Sequence, residues 1–181
     1  MKIVLKENMI AVALWAIASG ILITVLAFLR ELIAYLATTE FFFLYGFAYL
    51  IAFIISLLLL AKNLWKLGKK LYEETCKSVA VMILVSLLTI SFSIIFGIYP
   101  YLLIFLAFSF LSLSFGLLHA ILYHETRLAF FLVATLLLII GGFFLYANEL
   151  WFLIIGMGLI IGGLGFLNLS KRWGVIIIDV N

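Results

Sequence analysis

The stretch SVAVMILVSLLTISFSIIFGIYPYLLIFLAFSFLSLSFGLLHAILY, residues 78–123, carries no Asp, Glu, Lys or Arg. As one helix rising 1.5 Å per residue it would measure about 69 Å, more than twice the roughly 30 Å hydrocarbon core of a bilayer. It must therefore double back. Pro100, the only proline in the chain, sits near its middle between Tyr99 and Tyr101. A proline has no amide hydrogen to donate and keeps the residue before it out of the helical region, so one helix ends there and another begins. The stretch reads as two membrane-crossing helices joined by a tight turn.

The same criterion, an uncharged run of about 20 residues, gives two spans before this pair and two after it. The six expected spans are approximately 9–29, 41–61, 78–99, 101–123, 128–147 and 150–169. Asn148-Glu149 breaks the last apolar region, and His124-Glu125-Thr126-Arg127 separates the fourth and fifth spans. The expected fold is all-α: a single polytopic transmembrane helical bundle over residues 1–181, its six spans forming three helical hairpins, with a basic cytoplasmic loop at 62–77 and a tail at 170–181. Composition agrees. Of 181 residues 69% are apolar and 10% charged, against roughly a quarter charged in a soluble domain. Surface-to-volume scaling leaves no way to hide that much apolar side chain from water in so small a domain.

The eleven basic residues set the orientation, because Lys and Arg in short loops are biased toward the cytoplasm. A cytoplasmic N-terminus puts Lys2, Lys6, Lys62, Lys66, Lys69, Lys70, Lys77, Arg127, Lys171 and Arg172 inside and leaves Arg30 outside. Both termini are then cytoplasmic, in a multi-pass protein of the cell membrane. The same topology brings Tyr35, Tyr99, Tyr101, Tyr146 and Trp151 to the outer interface and Trp65, Tyr72, Tyr123 and Trp173 to the inner one, where amphipathic aromatics anchor. Lys2 and Lys6 before an apolar run resemble a secretory signal, but the run continues to Leu29 and is long enough to be a retained first helix. The single cysteine, Cys76, excludes an intramolecular disulfide.

Two segments read as interfacial. In 62–77, Leu64, Leu67 and Leu71 recur at helical spacing beside Lys62, Lys66, Lys69 and Lys70, which are candidate contacts for anionic lipid headgroups. The plainer reading, and the preferred one, is an ordinary solvated cytoplasmic loop whose lysines only set topology. In the outer segment 30–40, Leu32, Ile33 and Leu36 share a face with Leu29, so the first helix can run on past Arg30-Glu31. Shifting the chain by 48 residues superposes Leu84-Val85 on Leu132-Val133, Leu88 on Leu136, Phe96 on Phe144 and Ser114 on Gly162, the trace expected of a duplicated hairpin.

Small and hydroxyl residues recur every three or four positions. They are Ala13, Ala16, Gly20 and Thr24 on the first span; Ala48, Ala52 and Ser56 on the second; Ser86, Thr89, Ser93 and Gly97 on the third; Ser109, Ser112, Gly116 and His119 on the fourth. Thr135, Gly142 and Tyr146 follow on the fifth, and Gly158, Gly162 and Gly165 on the sixth. In lipid, where apolar side chains gain nothing by leaving the solvent, such residues let helix backbones approach and pack. The functional alternative is a polar path or pocket for a small solute lined by Ser86, Thr89, Ser93, Ser109, Ser112 and His119.

Every carboxylate falls at a span end, in a loop or in the tail, which tells against a proton relay or an intramembrane aspartyl protease. His119 and His124 lack the partners that haem, zinc or a nucleophile triad would require, so no cofactor and no enzymatic activity is expected. His119 reads as a packed, hydrogen-bonded helix residue and His124 as a headgroup-level residue that pairs with Glu125 or Arg127.

The runs LLLIIGGFFLYANELWFLIIGMGLIIGGLGFL at 136–167 and IIFGIYPYLLIFLAFSFLSLSFGLL at 94–118 each join a helix, a short outer turn and a Gly- or Ser-spaced helix. In this, and in its size, the chain resembles the HdeD-like family of small bacterial and archaeal membrane proteins built from repeated two-helix units. The resemblance covers 78–170 better than the first hairpin, whose outer loop carries Arg30, Glu31 and Glu40. It implies a membrane protein linked in some relatives to acid stress, and transfers no catalytic residue. The expected function is a non-enzymatic accessory or interaction bundle, with a passive transporter or solute-binding membrane subunit as the alternative. A lipid-modifying or redox enzyme using His119, His124 and Glu125 is a third class. Expected partners are the lipid bilayer and a second copy or another membrane protein, not nucleic acid.

Overall fold

The computed structural model describes residues 2–36, 41–71, 74–96, 100–145 and 151–176, all but the last residues of the 100–145 stretch and its internal turn being helical. The last residues of the expected third span, 97–99, the outer turn expected at Asn148-Glu149, the end of the outer segment at 37–40 and the tail from 177 lie outside the described residues, as do the side chains of Lys70, Ser93, Tyr35, Tyr101 and Trp173. Six helices form: α1 (Lys2–Leu36), α2 (Phe41–Leu71), α3 (Glu74–Phe96), α4 (Pro100–Thr126), α5 (Ala129–Phe144) and α6 (Trp151–Ile176). Among the described residues there is no strand.

Five helices, α1, α2, α3, α4 and α6, are long and apolar enough to cross a membrane. The sixth, α5, is apolar but has 16 residues, a rise of about 24 Å. Pro100 is the first residue of α4, the position at which its missing N–H interrupts no helical bond. Residues 62–71, read from the sequence as part of a separate loop, instead continue α2 to Leu71 without a break. The physical reason lies in Leu64 and Leu67, which are buried and hold that segment against the bundle; a run of Leu and Lys has no intrinsic reason to stop being helical. Likewise α1 runs past Arg30-Glu31 to Leu36.

Each helix packs against its neighbours in sequence, and α6 returns to pack against α1, the most extensive contact of all, so the six close into a ring. In the pairs whose facing residues are defined, neighbours are antiparallel. Ser19 Oγ lies 3.1 Å from Ser56 Oγ and the Tyr49 hydroxyl donates to the Leu22 carbonyl between α1 and α2. Ser112 Oγ donates to the Leu138 carbonyl at 2.6 Å, and Thr135 Oγ1 reaches the Gly116 carbonyl at 3.4 Å, between α4 and α5. With this alternation Lys6, Lys62, Lys66, Lys69, Lys77, Arg127, Lys171 and Arg172 all gather at one end of the ring.

The ring closes through glycine. A Cβ placed on Gly20 of α1 would lie 2.6 Å from the Gly156 carbonyl oxygen of α6, and one on Gly156 would lie 2.6 Å from the Gly20 carbonyl oxygen. One on Gly163 would come 2.9 Å from the Ala13 carbonyl oxygen. Side chains of Thr24, Ile160 and Ile17 lie as near, but at each of these positions a backbone carbonyl, which cannot rotate away, also stands within 3 Å. On another face of α6, Gly158 lies against Leu138 and Gly165 against Phe131 of α5. Of the small-residue stripes, Ala13, Ala16, Gly20 and Ser56 are buried in these contacts, whereas Ala48 and Ala52 are exposed. The outside of the ring is apolar: Leu88 is 70% exposed and Phe143 68%, with Leu14, Phe110, Leu117 and Leu136 also exposed. Apolar area so extensive around a whole bundle is compatible with lipid as its surroundings.

Candidate functional site

The interior of the ring is where a site for a solute would lie, and two groups of aromatic side chains occupy it. In the first, alternate helices of the ring meet: Phe53 of α2 stacks on Phe108 of α4 with centroids 5.7 Å apart, and Phe108 meets Phe152 of α6 edge-on at 4.9 Å. Phe105 adds a second contact to Phe152 at 6.1 Å. Edge-on and offset contacts at these separations are the favourable arrangements of aromatic quadrupoles.

The second group lies 11 positions further along α4, about 16 Å at helical rise. His119, 1% exposed, is walled by Phe115 on its own helix, Phe131 of α5 and Phe166 of α6, at centroid distances of 6.2, 5.6 and 6.0 Å. Its Nδ1 lies 2.6 Å from the Phe115 carbonyl oxygen. A carbonyl only accepts, so Nδ1 carries the proton, and in the neutral ring Nε2 then presents a lone pair. Nε2 has no hydrogen-bond partner among the described residues and faces Gly162 of α6, where a Cβ would overlap the imidazole. His119 thus fits α4 to α6 across the interior because position 162 has no side chain.

The residues of the expected polar path fall in different places. Ser86 on α3 is buried, and Thr89, half-buried, donates to the Val85 carbonyl of its own helix at 2.9 Å. On α4, Ser112 is turned toward α5 through its bond to Leu138, and half-buried Ser109 lies beside Gly142 of α5. The structure brings Ser109 and Ser112 to the α4–α5 contact and His119 to the α4–α5–α6 contact. No hydrogen bond among the described residues joins either group to Ser86 or Thr89 on α3. The side chain of Ser93 lies outside the described residues.

At the basic end, Lys62, Lys66 and Lys69 are exposed on one side of α2, with the Lys69 ammonium 5.7 Å from the centre of the Trp65 ring. His124 Nδ1 lies 3.6 Å from Glu125 Oε1, both side chains exposed. Between α4 and α5 the chain turns in two residues: Arg127 adopts φ 55°, its N–H donates to the Tyr123 carbonyl at 2.8 Å, and its guanidinium lies 5.9 Å from the Tyr123 ring. No group of three or more His, Cys, Asp or Glu side chains able to hold a metal occurs among the described residues.

Of the α1–α6 glycines, Gly20 belongs to the stripe read from the sequence, whereas Gly156, Gly163 and the aromatic contacts were not singled out there. The glycines carry a signal: Gly156 and Gly163, and Gly158 and Gly165, are two pairs spaced by seven, each pair marking one face of α6. The phenylalanines carry none, because eighteen Phe in a chain of this composition do not announce which point inward. Compared with known protein families, curated proteins and solved structures, the chain matches none.

Proposed function

We propose that the chain is a multi-pass protein of the cell membrane whose six helices all span, as three hairpins, and that it acts as a non-enzymatic accessory or interaction bundle. The observation that carries the reading is aromatic packing between helices: Phe53, Phe108 and Phe152 join α2, α4 and α6, and His119 with Phe115, Phe131 and Phe166 joins α4, α5 and α6 further along. A bundle joined at two levels by aromatic contacts and apolar over its outside offers its surface as the functional part. The gathering of basic residues at one end supports a cytoplasmic location for that end, and with it for both termini. The helix α5 is shorter than a bilayer core, a mismatch that a local thinning of lipid accommodates at modest cost. The resemblance to HdeD-like proteins fits this proposal and adds no reacting group to it.

A second reading, a passive transporter or solute-binding membrane subunit, draws on one observation, the buried Nε2 of His119 without a partner. A lone pair held in an aromatic cage would accept a hydrogen bond from a small donor. Native mass spectrometry of the protein released from nanodiscs separates the two. The accessory bundle predicts a chain free of non-lipid ligand, alone, as a homo-oligomer or with a second membrane protein. A stoichiometric non-lipid ligand lost in His119→Ala would instead establish the solute-binding reading.

A further inference from the structure

We propose that the outward face of the end of α2 binds the headgroup of an anionic phospholipid, held by Lys62, Lys66 and Lys69 beside Trp65. The case begins with which side of α2 these residues occupy. Ile51, Ile55 and Leu58 are exposed, and so are Lys62, Trp65, Lys66 and Lys69. At 3.6 residues per turn all seven fall within about 100° of arc. The opposite side, Leu57, Leu60, Leu64 and Leu67, is buried in the bundle. Because α2 is unbroken from Phe41 to Leu71, one straight stripe changes from apolar to basic without changing direction.

That continuity selects the occupant. If Ile51, Ile55 and Leu58 face acyl chains, the lysines below them on the same side face the headgroups of those same lipids, not the bundle and not a separate pocket. Lys62 lies about 6 Å along the axis from Leu58, and Lys69 about 16 Å. The headgroup layer on each side of the core is about 5–8 Å thick, and a lysine stem reaches back toward it from beyond. Trp65 lies between, at the level where an indole settles at the interface. The Lys69 ammonium over its ring holds the third cation on the same side. Among the described residues no carboxylate pairs with Lys62, Lys66 or Lys69, and Glu74, at the start of α3, is engaged by Lys77 at 2.5 Å. Three cations with no carboxylate partner among the described residues, beneath an apolar track, match a lipid with two acyl chains and a negative headgroup.

The site rests on the membrane reading above, and the experiment separates the two. The full-length chain is placed in nanodiscs of phosphatidylcholine and phosphatidylglycerol at four to one. Native mass spectrometry then counts the lipids retained as the discs are stripped. A K62Q/K66Q/K69Q variant is compared with K6Q/K171Q/R172Q, which removes the same charge from other exposed positions at the same end of the ring. Each lysine near a membrane surface contributes about fivefold in affinity for anionic lipid. The first variant should therefore lose phosphatidylglycerol retention by at least about tenfold more than the second, whose cations share only the general surface attraction. Equal losses in both variants would reduce the site to unspecific charge, and no loss in the first would remove it. Either result leaves the membrane reading intact, whereas a chain that fails to enter nanodiscs at all overturns both.

Discussion

At the scale of single residues, the arrangement of His119 against Gly162 makes the sharpest demand. A Cβ at Gly162 would overlap a ring already enclosed by three phenylalanines, so the imidazole has nowhere to retreat. Gly162→Ala is expected to destabilise the bundle by about 1–3 kcal/mol, the usual cost of overpacking a filled core. In a His119→Ala background the same substitution should cost little, a coupling of at least about 1 kcal/mol in a double-mutant cycle read by thermal unfolding in detergent. Equal costs in both backgrounds would mean that the two residues do not share the space. Arg127 makes the opposite prediction. It holds φ 55° at the end of α4, a conformation costing a non-glycine residue about 1–2 kcal/mol. The contact of its exposed guanidinium with the half-buried Tyr123 ring returns about 0.5–1 kcal/mol. Arg127→Gly should thus raise stability by about 1 kcal/mol, and a lowered melting temperature would show that the guanidinium contributes more than its backbone costs. His119 was legible in the sequence as a packed, hydrogen-bonded residue, since it had no second ligand. Gly162, read there only as one member of a helix-packing stripe, was not legible as its partner, because contact between α4 and α6 across the ring is invisible in local spacing.

Between elements, two kinds of glycine contact are distinguishable by what a methyl group would strike. At Gly20 it would strike the Gly156 carbonyl, and at Gly156 the Thr24 hydroxyl and then the Gly20 carbonyl, each carbonyl at 2.6 Å, and because a carbonyl cannot rotate away only separation of α1 from α6 relieves the overlap. At Gly116 it would strike first the Cγ1 of Ile139 at 2.7 Å, a side chain able to change rotamer. Gly20→Ala and Gly156→Ala should therefore lower the melting temperature clearly more than Gly116→Ala, since close backbone approach is what holds helices together in lipid. A reversed order would place the decisive contact elsewhere. Much at this scale was legible in advance. The helices were foreshadowed by uncharged runs and the break at Pro100, because length and charge are local properties. The stripe Ala13, Ala16 and Gly20 proved to be a packing face, but Ala48 and Ala52 are exposed, since small residues in lipid need not face a helix. The 48-residue register has a plain physical content: Leu84, Val85 and Leu88, and their counterparts Leu132, Val133 and Leu136, all point outward. Its matches register a shared outward face on α3 and α5. The length of α2 was hidden because lysines were taken to end a span, whereas the buried Leu64 and Leu67 carry the helix beyond it.

For the whole molecule, ring closure by α1 and α6, the helices farthest apart in sequence, was not legible at all. Nothing in either helix alone names the other, although the seven-residue spacing of Gly156 and Gly163 marks a face awaiting a partner. Once the ring closes, everything about function turns on whether its interior is a packed solid or a hydrated path. The most direct measurement is the reaction of introduced thiols with a water-soluble maleimide, in a chain whose buried Cys76 has been replaced by alanine. Ser86→Cys and Ser112→Cys probe two buried positions of the expected polar path, and Ser78→Cys, exposed near the start of α3, serves as the accessible reference. A packed bundle predicts that Ser78→Cys is labelled to completion while Ser86→Cys and Ser112→Cys remain unmodified in the folded protein. Labelling of Ser112→Cys at a rate approaching that of Ser78→Cys would contradict the account, show water within the ring, and turn the search toward a solute.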